Sequence, residues 1–372
     1  MTTSYTLALL DPSGNSLDVW DDFISLDYSR TLNNLGRLSV VMPYRPGINP
    51  TSIRRDFHIL VYRKPQNSPQ YLDMRTWWII DHVIWDISNN TVTIEAGDLL
   101  HILNRRIVGF TPQTLKADKT YLEKTYFLKA DDMMKEYVDE NLGPSASPIV
   151  RKISVLSIAG DTSEGPEVEQ QAAWKTIISV LQSIATQSAG LGTDIFFDIV
   201  PISADNFQFK TYIGVLGSDR TITPHGANTF TESNLSDIQI EWDYREEITN
   251  VYATGEGGGS DQLYVNEGDT ARDYSIWGRI ESRINLGSET GNEYYMSKKA
   301  NETLREFRPK IKLNANLVEV MGSIYGRDYN FGDKIPVSVE GYYFESMIDS
   351  VHVSLSDGEE RISSTVTGEI TL

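Results

Sequence analysis

The chain has 372 residues, a net charge of −19, 40% hydrophobic and 10% aromatic side chains, and no cysteine. Its 19 Tyr, 12 Phe and 7 Trp exclude a disordered polyelectrolyte, and its length suits two to four domains with cores of their own. Disulfides, zinc–thiolate sites and thiol nucleophiles are excluded along with cysteine, and no apolar run reaches the ~18 residues that a membrane-spanning helix needs. The opening Met1-Thr-Thr-Ser-Tyr-Thr-Leu7 has neither a basic region nor a long apolar core, so it is not expected to be a signal peptide.

The first 107 residues read as β structure. Tyr5–Leu10 is a strand, and Asp11-Pro-Ser-Gly14 is a turn with Pro at its second position. Ile24, Leu26 and Tyr28 alternate with polar residues, as do Leu38, Val40 and Met42 before Pro43. Gly36 within that run indicates a bulge or a close backbone approach. A strand from about Asp56 to Tyr62 precedes Thr76–Ile87, which carries apolar residues on both faces: Trp77, Ile79, Val83, Trp85 and Ile87 on one, Trp78, Ile80 and Ile84 on the other. The turn Asn89-Asn90 leads into Thr91–Ile94. Short strands separated by turns at this spacing indicate a small barrel or sandwich.

The middle of the chain changes character. Ala130–Leu142 predicts a helix stopped by Gly143-Pro144, and 160–169 is a polar, acidic loop. Trp174, Ile177, Ile178, Leu181, Ile184 and Ala185 recur at helical spacing, with Gly190 as the stop. Ile195–Val200 and Phe207–Ile213 read as strands. β patterning returns near residue 235, where Ile238, Ile240, Trp242 and Tyr244 alternate strictly with polar residues. Ile248–Thr254 is a strand running into Gly255-Glu-Gly-Gly-Gly259, Glu293–Phe307 is a helix, and three strands finish the chain at 333–339, 344–355 and 361–372. The expected architecture is mainly β: two similar small β-barrels, at 1–107 and 235–372, flanking an α+β insert at 108–234.

The two β regions share a pattern. Ile80-Asp81-His82-Val83 matches Ile348-Asp349-Ser350-Val351, and Ile79, Trp85 and Ile87 match Met347, Val353 and Leu355 as apolar residues of one parity. Thr91-Val92-Thr93 and Glu95 match Thr365-Val366-Thr367 and Glu369 after a hairpin six residues longer, with Asp357-Gly358 at its turn. Arg55-Asp56-Phe57 resembles Arg327-Asp328-Tyr329, although the register to the next strand differs. Thr-Val-Thr is common in strands, so chance similarity is the competing reading.

The segment Tyr325-Gly-Arg-Asp-Tyr-Asn-Phe-Gly-Asp-Lys-Ile-Pro-Val337, followed by Met347–Val351, resembles the C-terminal barrel of the tail-hub proteins of long-tailed bacteriophages. Leu35-Gly36-Arg37-Leu38, in a strand ending at Pro43, is similar to that family's opening barrel, and the helix carrying Ala300, Leu304 and Phe307 fits as well. The motifs are strand patterns at the two ends of the chain rather than invariant chemistry. The resemblance implies a structural virion protein: a homotrimeric, siphophage-type tail hub at the distal end of the tail tube, with an axial channel for DNA passage. A subunit with two quasi-equivalent barrels lets a threefold ring display six of them, and so adapt a sixfold tube to a threefold tip. The implied partners are the tail tube or distal tail protein, the tip, spike or fibre proteins, and the tape measure protein. The chain ends within a strand of the repeated unit at Leu372, so spike, fibre or lytic functions are expected on other chains.

Charge is compatible with that picture, although from charge alone the favoured reading is that an acidic surface simply keeps the protein soluble. Residues 1–107 carry 10 basic and 11 acidic side chains, and residues 108–372 carry 23 and 41. Neither part has the basic footprint that tight nucleic-acid binding requires, whereas an acidic wall would repel DNA sliding past it.

No catalytic, cofactor-binding or metal-binding residues are assigned. His58, His82, His101, His225 and His352 form no His-x-His or His-x-x-x-His pair. The glycines at 255–259 lack the Lys-Ser/Thr ending of a phosphate loop, and there is no Gly-x-Ser-x-Gly elbow. Asp81 and Asp349 occupy equivalent places in the two repeats and are expected to accept backbone N–H bonds at barrel corners. The acidic loops at 161–169 and 256–273 lack EF-hand spacing and read as solvated. A tail-associated cell-wall-degrading enzyme and a receptor-binding tail-tip module are the alternatives. Trp85, Trp174 and Trp242, all expected on core faces, argue against the receptor-binding module.

Overall fold

Alternating apolar residues dictate most of the strands, and the pairing of those strands sets the architecture. A computed structural model describes residues 3–44, 53–66, 68–109, 128–147, 149–170, 172, 174–203, 205–221, 229–272, 276–287, 292–356 and 358–371. His225 and Asp357 lie outside the described residues.

The N-terminal region contains β1 (Ser4–Leu10), β2 (Ser16–Trp20), β3 (Ser25–Thr31), β4 (Arg37–Pro43), β5 (His58–Lys64), β6 (Tyr71–Leu72), β7 (Trp78–Asp86) and β8 (Thr91–Asp98). The middle follows with α1 (His101–Asn104), β9 (Leu128–Lys129), α2 (Ala130–Leu142), β10 (Leu156–Ile158), β11 (Glu167–Val168), α3 (Ile177–Gly190), β12 (Ile195–Ser203) and β13 (Asn206–Ile213). Next are β14 (Leu235–Asp243), β15 (Asn250–Thr254), β16 (Tyr264–Gly268), β17 (Glu281–Asn285) and α4 (Glu293–Glu306). The last strands are β18 (Lys310–Leu317), β19 (Lys334–Val339), β20 (Tyr342–Ser356) and β21 (Glu359–Thr371). β18 escaped the sequence reading although Ile311, Leu313, Ala315 and Leu317 alternate along it.

In place of two closed barrels there is one open sheet of 13 strands, in the order β14-β18-β21-β20-β3-β4-β8-β7-β5-β1-β2, with β19 beside β20 and β6 beside β5. The halves are fused because β20 pairs antiparallel with β3, from Ser350 opposite Thr31 to Ser356 opposite Ser25. Each half would otherwise expose an unpaired strand edge, and joining the edges satisfies their backbone groups. A single core spans both halves, with Leu26, Tyr28, Val40 and Ile94 packed in the same cluster as Val337, Ile348, Val353 and Val366.

The strand order β3-β4-β8-β7-β5 recurs as β14-β18-β21-β20-β19. Ile80 exchanges backbone hydrogen bonds with Asp56 and Phe57, and Ile348 does the same with Gly332 and Asp333. Register then shifts between Ile80 and His82 against β8, and between Ile348 and Ser350 against β21. Asp81 and Asp349 are thus the extra residues of equivalent β-bulges, and the Ile-Asp match is structurally sound. The flanking matches are not. Ile80 pairs with Ala96 and Ile348 with Val366, so Val92 and Val366, aligned by identity, stand at different places in the two hairpins. The Arg-Asp-aromatic match is likewise out of step, because Asp56 is equivalent to Gly332 rather than to Asp328.

The bulge also overturns the expected face assignment. An extra residue reverses side-chain parity, so Ile80 before it and Val83 after it both pack against the shared core. Two smaller clusters accompany it among the described residues. α2, α3 and the sheet β10-β13-β12 pack with Leu10, Leu60, Trp77 and Ile79 from the opposite face of the N-terminal half. Between β14 and β18, the sheet β16-β15-β17 packs Val251 and Ala253 against Met296, Ala300 and Leu304 of α4.

Candidate functional site: a polar lock across the repeats and the cleft beside it

The side chains that fix the two halves and the middle region to one another are charged and buried. Arg30 leaves β3 next to the β20 seam and reaches Asp98 on β8 at 3.2 Å and Asp198 on β12 at 2.7 Å. It also donates to the Met74 carbonyl at 3.0 Å and lies over the Phe331 ring, 4.9 Å from its centroid. One guanidinium thereby joins the N-terminal sheet, the middle region and the C-terminal half. Its planar fork suits two carboxylates at once, which an ammonium would not. Burial pushes the Asp98 carboxyl up, against the pull of Arg30.

A second node is Asp73, which accepts from Tyr28 at 2.5 Å, from Tyr325 at 2.7 Å and from the Met74 amide at 2.9 Å. Burial raises its pKa despite these bonds. They also hold the adjoining turn, where Met74 and Arg75 adopt the left-handed region at φ 50° and 51°, a conformation that persists only when its surroundings impose it. Arg63 is the third node. It donates to Glu360 at 2.9 Å, to the Tyr5 hydroxyl at 3.0 Å, to the Tyr71 hydroxyl at 2.9 Å and to the Tyr325 carbonyl at 3.1 Å. Burial disfavours the Glu360 carboxylate, but the hydrogen bonds from Arg63, Tyr5 and Thr3 outweigh it and hold the pKa below the usual range. Burial pushes Tyr71 up to about 12.

Gly36 is required by this packing. A Cβ there would sit 2.9 Å from an Asp98 carboxylate oxygen and 2.9 Å from the Ser29 carbonyl, which is the close backbone approach its sequence position indicated.

A cleft of about 950 Å³ opens between the end of α3 and strands β18, β20 and β21. Of the bases that line it, Lys310 pairs with Glu369 at 2.6 Å, Lys334 with Glu345 at 2.5 Å, Lys312 with Asp243 at 2.9 Å and Arg308 with Asp269 at 3.4 Å. Burial raises the pKa of Asp194 and of Asp349, which also face it. Among the described residues no nucleophile–base pair stands in this cleft, and no group of three or more His, Asp or Glu side chains could hold a metal ion. No described helix is long and apolar enough to cross a membrane.

The four described histidines have packing or hydrogen-bonding partners. His58 packs between Trp77 and Phe207, 5.5 and 6.2 Å away, and burial lowers its pKa. His101 bonds the Gly36 carbonyl at 3.0 Å. His82 pairs with Glu95 at 2.9 Å and His352 with Asp27 at 2.7 Å, the latter across the seam. The expected backbone bonds to Asp81 and Asp349 are not found among the described residues. Asp81 is exposed, and what Asp349 supplies is its carbonyl, to the Leu32 amide at 2.9 Å. Nor are Trp85, Trp174 and Trp242 buried in a core: they are 42%, 60% and 47% exposed. Trp85 and Trp242 sit where the sheet runs out of covering strands, and Trp174 precedes α3 at φ 60°. Sequence reasoning missed the lock because its residues are far apart in the chain, and the one available hint was the cost of placing Arg30 and Arg63 among apolar strand residues.

No curated protein matches the sequence. A prophage MuSo2 43 kDa tail protein from Shewanella oneidensis shares the fold at 12% identity and a TM-score of 0.53, over 98% of both chains. A tail protein from Neisseria meningitidis MC58 does so at 12% identity and a TM-score of 0.52, over 99% of this chain and 97% of its own. The sequence itself matches the Siphovirus ReqiPepy6 Gp37-like protein family over residues 6–367. The fold is shared with those two tail proteins, and with nearly its whole length matched the chain belongs to the Siphovirus ReqiPepy6 Gp37-like protein family.

Proposed function

We propose that the protein is a non-enzymatic tail hub: a homotrimeric ring at the distal end of the tail tube that adapts the sixfold tube to a threefold tip around an axial channel for DNA. The observation that carries this reading is the five-strand unit present twice in one sheet. Three chains then supply six similar units, which can meet a sixfold object, while the ring itself stays threefold. Segments 1–107 and 235–372 would form the ring, and 108–234 would face neighbouring subunits or the tip. The tail tube or distal tail protein would bind one face, and the tip, spike or fibre proteins and the tape measure protein the other. A net charge of −19 lets DNA pass without adhering.

The test is the mass of the purified chain by light scattering, alone and with its tail-tube protein. A species near three times 41.9 kDa in either condition supports the ring. A monomer that ignores the tube protein but degrades peptidoglycan would instead favour the enzyme. The exposed Trp174 and Trp277, at 60% and 83%, favour a second reading, a receptor-binding module whose rings stack on cell-wall sugars. A monomer that binds cell wall without degrading it would support that.

A further inference from the structure

Within one chain, the two repeats join through a defined seam. The second half of β20, Ser350–Ser356, pairs with β3, while its first half, Tyr342–Met347, pairs with β19. The N-terminal repeat reproduces the second of these arrangements and lacks the first. β5 covers Trp78 and Ile79 of β7, the counterparts of Ser346 and Met347, but among the described residues no strand covers the outer edge of His82–Asp86. The counterpart of β3 is β14, which among the described residues pairs with β18 alone. Among the described residues, each half of a seam is therefore present without its complement.

We infer that β7 of one copy pairs antiparallel with β14 of the next, repeating between chains the seam that β20 and β3 make within one. This rests on the ring reading above and gives it a strand register. Aligning the bulges makes His82–Ile87 equivalent to Ser350–Leu355. Following β4 and β18 across their ladders makes Leu26 equivalent to Leu235 and Ser29 to Gln239. The intramolecular pairs Ser350 with Thr31, His352 with Ser29 and Leu355 with Leu26 then translate to His82 with Glu241, Ile84 with Gln239 and Ile87 with Leu235 of the next copy.

The side chains fit that register. On the core side, Val83, Trp85 and Ile87 would meet Ile240, Ile238 and Leu235. Trp85 and Ile87 are 42% and 73% exposed in the single chain, whereas Val353, the counterpart of Trp85, is fully buried by the internal seam. An apolar strand with a free edge is a pairing template that proteins ordinarily blunt. Here both complementary edges are left open by the described residues of the same sheet. Because β7 and β14 are different surfaces, the contact is head-to-tail, and such contacts generate rings when the rotation closes. The internal seam and the seam between chains become quasi-equivalent, which is what a ring of six similar units requires.

The absence of cysteine makes the register testable by disulfide trapping in the full chain. Residues directly opposed on antiparallel strands have Cβ atoms about 4.5–5.5 Å apart, close to the Cβ separation of about 3.5–4.5 Å in a disulfide. Ile84→Cys combined with Gln239→Cys, and separately His82→Cys combined with Glu241→Cys, would be oxidised with and without the tail-tube protein. All four side chains are exposed, so neither pair empties the core. The expected result is a shift on non-reducing gels from one chain to a covalent trimer, reversed by a thiol reductant, with each single variant stopping at dimer or below. Trimers by light scattering with neither pair trapped would overturn the strand seam and leave the ring standing. Trapping to the tube protein rather than to a second copy would also overturn it. A chain that stays monomeric in every condition would remove the ring reading itself.

Discussion

Replacing Arg30 with Met tests whether the buried lock holds the molecule together. Methionine keeps most of the apolar stem and the contact with Phe331, so little volume is lost. The guanidinium disappears from between two carboxylates, one fully buried and the other 6% exposed at its side chain. Removing one partner of a buried ion pair costs about 3–5 kcal/mol, because the charge left behind is uncompensated. The pH dependence gives the argument its sign. Burial and Asp198 already push Asp98 up while Arg30 pulls it down. Without Arg30 its folded pKa rises further above the unfolded value of about 3.9. A carboxyl whose pKa is raised by folding contributes its stability below the unfolded pKa and loses it as pH rises through the folded one. The deficit of the variant should therefore be largest near neutrality and shrink as pH falls through the folded pKa towards the unfolded one. Urea unfolding followed by the fluorescence of the buried Trp77 and Trp78 reads this directly. A loss under about 1 kcal/mol, or a deficit that stays equal across that range, would refute the reasoning.

Two further outcomes follow from the same packing. Glu360 has a folded pKa held below its usual value, so it contributes stability above about pH 4.5 that is lost as pH falls through the folded pKa. Glu360→Gln should remove that part of the acid sensitivity, and an unfolding midpoint that falls on acidification as steeply as in the parent would contradict it. Gly36→Ala forces a Cβ to 2.9 Å from both an Asp98 oxygen and a backbone carbonyl. It should cost roughly 1–3 kcal/mol as an overpacking change, and a thermal midpoint equal to that of the parent would show that the strands move apart freely.

What could be read in advance was local. The apolar positions of β4 predicted Leu38, Val40 and Met42, all of which are buried, and the Gly143-Pro144 stop ended α2 at Leu142. In both cases the determining interactions lie within a few residues, in the pleat of a strand or the last turn of a helix. Ile-Asp repeated in the two halves because each copy needs an apolar residue followed by a polar bulge. Thr-Val-Thr misled because strand propensity is independent of register: the same three residues suit any half-buried position.

The amino-acid order by itself determined that the chain is folded, acidic, rich in strands at both ends and helical in the middle, and that two of its strands are related. Only the tertiary structure decided that the related units fuse into one open sheet, that Asp81 and Asp349 reverse the parity of their strands, and that Trp85 and Trp242 stand half exposed at uncovered edges. It also decided the partners of the buried charges, since Arg30 and Asp198 are 168 residues apart and Arg63 and Glu360 are 297 apart. The physical reason is the range of the interactions. Periodicity reports which side of a strand is buried, but edge pairing, bulges and charge compensation depend on which distant backbone or side chain arrives to meet it.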